Sequence, residues 1–295
     1  MHRRLRTVPR GYVVHRAGGT WLVLDEGLRR DLVRLRLAEP AVRTSLFARA
    51  APGGRGTTPI VPLSEDTQVL LRRYRHGGAL GKLTGTLFLG PGRALRELEV
   101  TARAEAAGAP VPHALCVVLW PVLGPFWSAL IGTRRECQAH DLLEALRACG
   151  DARERRHLLR EVAEAIRRLH DAGVEHRDLQ LRNVLITQGT PRRVVVVDLD
   201  GARFHPRGTL PTACRARNLG RMARSAVKAG LLPRPLGRRE LAAFVGAYTA
   251  GNRALRAELR AHVRWERFKL RAHGLSYPLR RVAAPRPDSP ATPVP

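Results

Sequence analysis

Two short segments restrict the fold of this chain more than any other feature. They are His176-Arg-Asp-Leu-Gln-Leu-Arg-Asn183 and Val196-Val-Asp198-Leu-Asp200-Gly201. Just upstream, Leu158, Leu159, Val162, Ile166 and Leu169 recur at helical spacing over residues 153–172, and Gly173 stops that helix. A loop carrying Asp178 and Asn183 follows, then the strand-like Val184-Leu-Ile, a turn at Gly189-Thr-Pro, and a continuous apolar strand over residues 194–197. Loop, strand, turn and strand in that order bring Asp178, Asn183 and Asp198 to one spot. Asp and Asn often do no more than shape a turn. Two such elements in this order behind a helix argue instead for a site.

Those side chains suit phosphoryl transfer, which asks little covalent help of a protein but needs positioning and charge neutralisation. A carboxylate at Asp178 orients the acceptor hydroxyl. Oxygen donors at Asn183 and Asp198 hold Mg2+ on the phosphates of ATP. The catalytic set is therefore Asp178, Asn183 and Asp198, with the metal on the last two. The two segments resemble the H-R-D-L-x-x-x-N catalytic loop and the D-F-G metal element of protein kinases, with Leu199 replacing Phe and Asp200 at the Gly position. The resemblance implies an α+β, protein-kinase-like bilobal fold with a β-rich N-lobe and a mainly helical C-lobe. It also implies structural rather than catalytic roles for His176 and Arg177.

The rest of the sequence divides in the same way. Residues 1–49 form an extension leading into the N-lobe, 50–136 the N-lobe, 137–280 the C-lobe, and 281–295 a Pro-rich disordered tail. A strand is expected over residues 68–74, and a helix over 92–107 that ends at Gly108 with Pro110 and Pro112 beyond it. Residues 114–132 contain no charged side chain and are long enough for a membrane span. Pro121, Gly124 and Pro125 interrupt them, so two short buried strands joined by a P-V-L-G-P turn are expected instead. Trp120, Phe126 and Trp127 are candidates for bilayer contact. Further helices are expected over 141–148, 217–229, 238–248 and 253–272.

A kinase-like N-lobe needs a glycine loop over the phosphates, a basic residue on a strand, and a helix Glu paired with it. Gly53-Gly-Arg-Gly56 supplies the loop, so Gly54, Arg55 and Gly56 are cofactor-binding candidates. Arg72 stands where the strand lysine is expected, Lys82 follows soon after, and either would bind the α- and β-phosphates. Arg and Lys are not equivalent at such a site. Glu97 is the ion-pair candidate, with Glu99 as its alternative.

Several segments together resemble the lipopolysaccharide kinase family, especially its 3-deoxy-D-manno-octulosonic acid (Kdo) kinases. They are Gly54-Arg-Gly-Thr-Thr58, Leu71-Arg-Arg-Tyr-Arg-His-Gly-Gly78, Arg96-Glu97, Gly173-Val-Glu-His-Arg-Asp-Leu179, Asp198-Leu-Asp200 and Arg217-Asn-Leu-Gly-Arg-Met-Ala-Arg-Ser225. Arg in the strand motif and the D-x-D element follow this family, whereas Arg177 departs from the small residue expected there. The resemblance implies transfer from ATP to a sugar hydroxyl of Kdo-lipid A, by a protein lying peripherally on the cytoplasmic face of the inner membrane.

Charge and cysteine usage agree with that picture. The formal net charge is +27, from 52 Lys and Arg against 25 Asp and Glu, which calls for an anionic partner. An anionic membrane surface fits, and the Arg-rich C-terminal helices are candidates to dock on it. Aromatics are only 5%, so stacking nucleic-acid recognition is disfavoured. Cys116, Cys137, Cys149 and Cys214 show no paired metal spacing and read as reduced thiols, and the N-terminus shows no signal peptide. The competing functions are a protein Ser/Thr kinase, another small-substrate kinase, and a catalytically inactive scaffold. No A-P-E-like anchor follows Asp198, and the basic balance disfavours cationic acceptors.

Overall fold

The computed structural model describes residues 8–49, 58–75, 85–189, 191–205 and 210–272, with side chains up to residue 262. Gly54, Arg55, Gly56, Lys82 and the Pro-rich tail lie outside the described residues.

An antiparallel sheet fills the N-terminal half. Its strands are β1 (Tyr12–Ala17), β2 (Thr20–Asp25), β3 (Ile60–Pro62), β4 (Gln68–Arg73), β5 (Phe88–Leu89), β6 (Ala114–Leu123) and β7 (Phe126–Arg134). They are ordered β1-β2-β6-β7-β4-β3, and β5 pairs with β7. Helices α1 (Arg29–Arg34) and α2 (Pro40–Arg49) lie between β2 and β3, and α3 (Gly92–Ala106) lies between β5 and β6.

The uncharged run at 114–132 follows from burial on both faces. One face packs Val117, Leu119, Ala129 and Ile131 with Ala94 and Leu98 of α3. The other packs Cys116, Val118 and Leu130 with Leu32 of α1 and Leu37. A strand covered on both sides has no solvent face to carry charge. The expected hairpin forms, but its strands are longer than short buried ones. Pro121 and Val122 are still part of β6, and the turn is at Gly124–Pro125. Of the three aromatics considered for bilayer contact only Phe126 is exposed. Trp127 is buried, and Trp120 carries the Arg43 guanidinium 4.2 Å from its ring centroid.

Residues 12–25, given no element by the sequence reading, are two strands of the main sheet. β2 pairs with β6 from Trp21↔Leu119 to Leu24↔Cys116. Their alternation is blurred because Leu22, Val23 and Leu24 are all buried.

Gly132 of β7 has no room for a side chain. A Cβ there would stand 2.7 Å from Cys116 Sγ and 2.9 Å from Val69 Cγ1. Gly132→Ala is expected to destabilise the chain by roughly 1–3 kcal/mol through overpacking. A leftward shift of the urea midpoint would register it, and an unchanged midpoint would show that the sheet yields there.

The C-terminal half is built on helices α4 (Leu142–Ala148), α5 (Ala152–Asp171), α6 (Thr212–Lys228), α7 (Arg238–Thr249) and α8 (Arg253–Ala272). Asp141 and Asp151 cap α4 and α5, each accepting from the backbone amide three residues on. Leu158, Leu159, Val162, Ile166 and Leu169 of α5 are buried in the core of this half. Gly173 ends the segment with φ +83. Helix α6 begins at Thr212, five residues before the position expected, directly after Pro211, which fixes its entry. Three small strands complete this half next to the helices: β8 (Ala139–Asp141), β10 (Val184–Thr187) and β11 (Val194–Val196), in the order β11-β10-β8. A two-strand pair, β9 (Val174–Glu175) with β12 (Arg203–Phe204), brackets the loop between them. Among the described residues no helix is long and apolar enough to cross a membrane.

Candidate active site

The site is assembled on the turn between α5 and β10. His176 is buried and ties that turn together through both ring nitrogens. Its Nδ1 accepts from the Asp178 amide at 3.1 Å, so the proton is on Nε2, which donates to the Val197 carbonyl at 3.1 Å. One neutral imidazole thus joins the loop of Asp178 to the strand leading into Asp198. Asn183 closes the same turn, its Nδ2 donating to the Asp178 carbonyl at 2.8 Å while its own carbonyl accepts from the Val197 amide at 2.9 Å.

Behind the loop stands Asn218 of α6. Its Oδ1 accepts from the His176 amide at 2.9 Å and lies 3.2 Å from His170 Nε2. The Leu181 amide donates to Ser225 Oγ at 3.1 Å. Asp178 itself faces solvent, and Gln180 Nε2 donates to its Oδ2 at 2.6 Å.

Asp198 follows β11 and holds φ +62, in the left-handed region. Asp is among the few residues found there with any frequency, at a cost of roughly 1–3 kcal/mol. Leu199 is buried behind it, and the Ala202 amide donates to the Leu199 carbonyl at 2.9 Å. The twist leaves the Asp198 side chain 42% exposed, open to a ligand.

From the sheet, Arg72 of β4 reaches three carboxylates. Its Nη2 donates to Glu97 Oε1 at 2.5 Å and lies 3.5 Å from Asp198 Oδ1, and its Nη1 lies 4.0 Å from Asp200 Oδ2. Tyr74 OH donates to the other Glu97 oxygen at 2.6 Å. Arg93 grips Asp200 with both Nε and Nη2. Glu97 is 5% exposed, and burial pushes its carboxyl above the usual range against the pull of Arg72. Burial alone would lower the Arg72 pKa, but Glu97, Tyr74 and Asp198 together hold it above its ordinary value. Burial and the Glu97 charge also raise the Tyr74 phenol.

The structure therefore brings Arg72, Glu97 and Asp198 to one place, with Asp178 and Asn183 on the adjoining turn. Glu99 points elsewhere and pairs with Arg103 at 3.0 Å on the exposed side of α3. Tyr74, Arg93, Gln180 and Asn218 were missed by the sequence reading. Two of them carried a legible signal. Tyr74 lies two residues from Arg72 and shares its face of the strand, and Arg93 lies one helical turn before Glu97. Gln180 carried none, and Asn218, although inside the family-like segment 217–225, carried none for its partner, because both contacts depend on loop shape and on packing of α6.

Among the described residues no group of three or more His, Cys, Asp or Glu could hold a metal. Asn183 and Asp198 were expected from the sequence to be the metal donors, and they lie on the two adjoining segments that the His176 imidazole joins.

The helix-loop-strand core, the strand Arg paired with a helix Glu and the acid after β11 define a protein-kinase-like fold. The sequence pattern of the lipopolysaccharide kinase (Kdo/WaaP) family matches residues 49–248, and the chain belongs to that family. It is 32% identical to a 3-deoxy-D-manno-octulosonic acid kinase of Vibrio cholerae over 151 residues, 50% of this chain and 61% of that enzyme. It thus spans less than two thirds of that relative. A Xylella fastidiosa 3-deoxy-D-manno-octulosonic acid kinase is 28% identical over 220 residues, 72% of this chain and 82% of that enzyme. A solved structure of WaaP in complex with acyl carrier protein superposes with a TM-score of 0.57 at 22% identity, covering 85% of this chain and 98% of WaaP.

Buried imidazoles give the site a pH signature. Burial and Arg215 lower the His170 pKa from 6.5 to about 3, against the hydrogen bond to Asn218, and burial lowers that of His176. At these two positions the unfolded chain takes up protons below about pH 6.5 that the folded one does not. The His170 contribution is therefore complete above about 6.5 and falls as pH drops toward 3, by roughly 1.4 kcal/mol per pH unit, and His176 acts in the same direction. Urea midpoints at several pH values would measure that slope. His170→Gln is expected to reduce it by one proton, and an unchanged slope would exclude His170 as a source.

Proposed function

We propose that this chain transfers the γ-phosphate of ATP to a hydroxyl of Kdo on a lipid A-linked acceptor at the cytoplasmic face of the inner membrane. The main support is the network in which half-buried Arg72 is held by buried Glu97 and Tyr74 and turned toward Asp198 and Asp200 beside the Asp178 loop. Named relatives that are Kdo kinases supply the acceptor class.

In this reading Glu97 and Tyr74 fix the Arg72 guanidinium, which carries the α- and β-phosphates. Asp178, steered by Gln180, orients the acceptor hydroxyl and takes its proton as the oxygen–phosphorus bond forms. The bond from γ-phosphorus to the β-phosphate oxygen breaks, and ADP leaves. Asn183 and Asp198 would hold Mg2+, which would supply neutralisation of phosphate charge. The His176 imidazole, bonded to both the Asp178 amide and the Val197 carbonyl, keeps base and metal donors in fixed relation.

The test is transfer of γ-labelled phosphate from Mg-ATP to Kdo-lipid A, beside a generic protein acceptor. Label on the lipid is expected. Label on protein alone would move the assignment to a protein kinase, and no label on either would refute the proposed activity.

A further inference from the structure

Large apolar side chains crowd the outer end of the β6–β7 hairpin. Leu89 and Leu123 are 79% and 76% exposed, Val122 is 51% and Phe126 is 39% exposed. Strand register gathers them: Leu123 lies opposite Phe126, and Phe126 lies opposite Leu89. The Gly90 amide donates to the Pro125 carbonyl at 3.2 Å and pins β5 against the tip. Single exposed leucines are ordinary, but a contiguous patch marks a contact surface.

The charged residues of the strand ends and turns beside this patch are all basic, although Arg93 is paired with Asp200. The β1–β2 turn and the last residues of β4 reach the same end of the sheet, because Trp21 pairs with Leu119 and Arg73 with Leu130. Segments 16–21, 73–75, 86–93 and 119–130 contain Arg16, Arg73, Arg75 and Arg93, and no Asp or Glu. Arg16 and Arg75 are exposed. An apolar projection flanked by exposed guanidinium groups matches a bilayer with anionic headgroups. The apolar side chains enter the interface while the arginines take the phosphates. Two copies meeting at this end would instead bring like charges together, in a chain of net charge +27.

The patch is also joined to the site. Phe88 precedes Leu89, the Arg93 guanidinium lies 5.0 Å from the Phe88 ring centroid, and the same guanidinium holds Asp200. We propose that the β6–β7 tip, with Leu89, inserts into an anionic lipid surface and holds the cleft there. Its purpose rests on the lipid-linked acceptor proposed above, but binding to lipid can be read without any transfer.

Full-length protein would be sedimented without nucleotide with phosphatidylcholine vesicles, with and without phosphatidylglycerol. Wild type is expected to bind the anionic vesicles. The combined variant Leu89→Ser, Leu123→Ser, Phe126→Ser is expected to bind them roughly tenfold or more weakly. Its thermal midpoint and its transfer to a detergent-dispersed acceptor are expected to stay as in wild type. Should that variant not fold, Leu123→Trp alone reports insertion through quenching by brominated lipid in excess of the wild-type signal. Equal vesicle binding by wild type and the triple variant, or no excess quenching, overturns the proposal. Loss of a dimer in sedimentation velocity with unchanged vesicle binding overturns it too, and assigns the patch to self-association. Wild type that binds vesicles but transfers no phosphate would sink the kinase reading and leave this one standing.

Discussion

Asp178→Asn is expected to lower phosphoryl transfer by roughly 10²–10⁴-fold, the usual worth of a positioned general base. Mg-ATP affinity and the unfolding midpoint should hardly change. Asp178 is exposed, and its turn is organised by backbone groups that the substitution keeps: its amide on His176 Nδ1 and its carbonyl under Asn183 Nδ2. The side chain alone is removed from the chemistry. Asp198→Ala should do the converse, weakening magnesium-dependent nucleotide binding in calorimetry. It also removes a side chain suited to φ +62, so some stability should go with it. A fall in Mg-ATP affinity on Asp178→Asn equal to that on Asp198→Ala would contradict this division of labour.

Glu97→Ala is expected to cost both stability and activity. It strips a 5%-exposed carboxylate from Arg72 and leaves the buried Tyr74 hydroxyl without its acceptor. Breaking a buried pair costs roughly 3–5 kcal/mol, and the low end applies because the Arg72 side chain keeps 32% exposure. The freed guanidinium has other acids at hand, Asp198 at 3.5 Å and Asp200 at 4.0 Å. It should settle on them and occupy the carboxylate proposed for the metal, so kcat/KM is expected to fall by more than the stability loss explains. Arg72→Ala should be milder in stability, since Glu97, already raised by burial, can take up a proton and remain bonded to Tyr74. Chemical denaturation of both variants, with single-turnover transfer where they fold, would check the order. A more damaging Arg72→Ala would reverse the assignment of which partner is costly to strand.

Much of this was legible because it depends on local order. The 3.6-residue repeat of α5, the stop at Gly173 and the spacing from His176 to Asn183 are one-dimensional facts that survive folding unchanged. The uncharged run at 114–132 announced burial for the same reason, since a strand covered on both faces carries no charge. Pro121, by contrast, suggested an early turn. It sits at the exposed end of β6, where a missing amide hydrogen is tolerated.

What lay beyond the sequence is pairing between distant residues. Arg72 and Lys82 were equally basic, and Glu97 and Glu99 equally acidic, two positions apart on one helix. Packing of α3 on the sheet turned Glu97 inward to Arg72 and left Glu99 outward with Arg103. Asn218 gained its place behind His176 only when α6 closed against the loop. The chain order alone thus determined the class of chemistry and the elements that carry it, because helical repeats and motif spacing are local. Which charge meets which, and which apolar residues stay outside, were decided only by tertiary packing, which sets distances across 25 or more residues of chain and removes water from one face of an element while leaving it on the other.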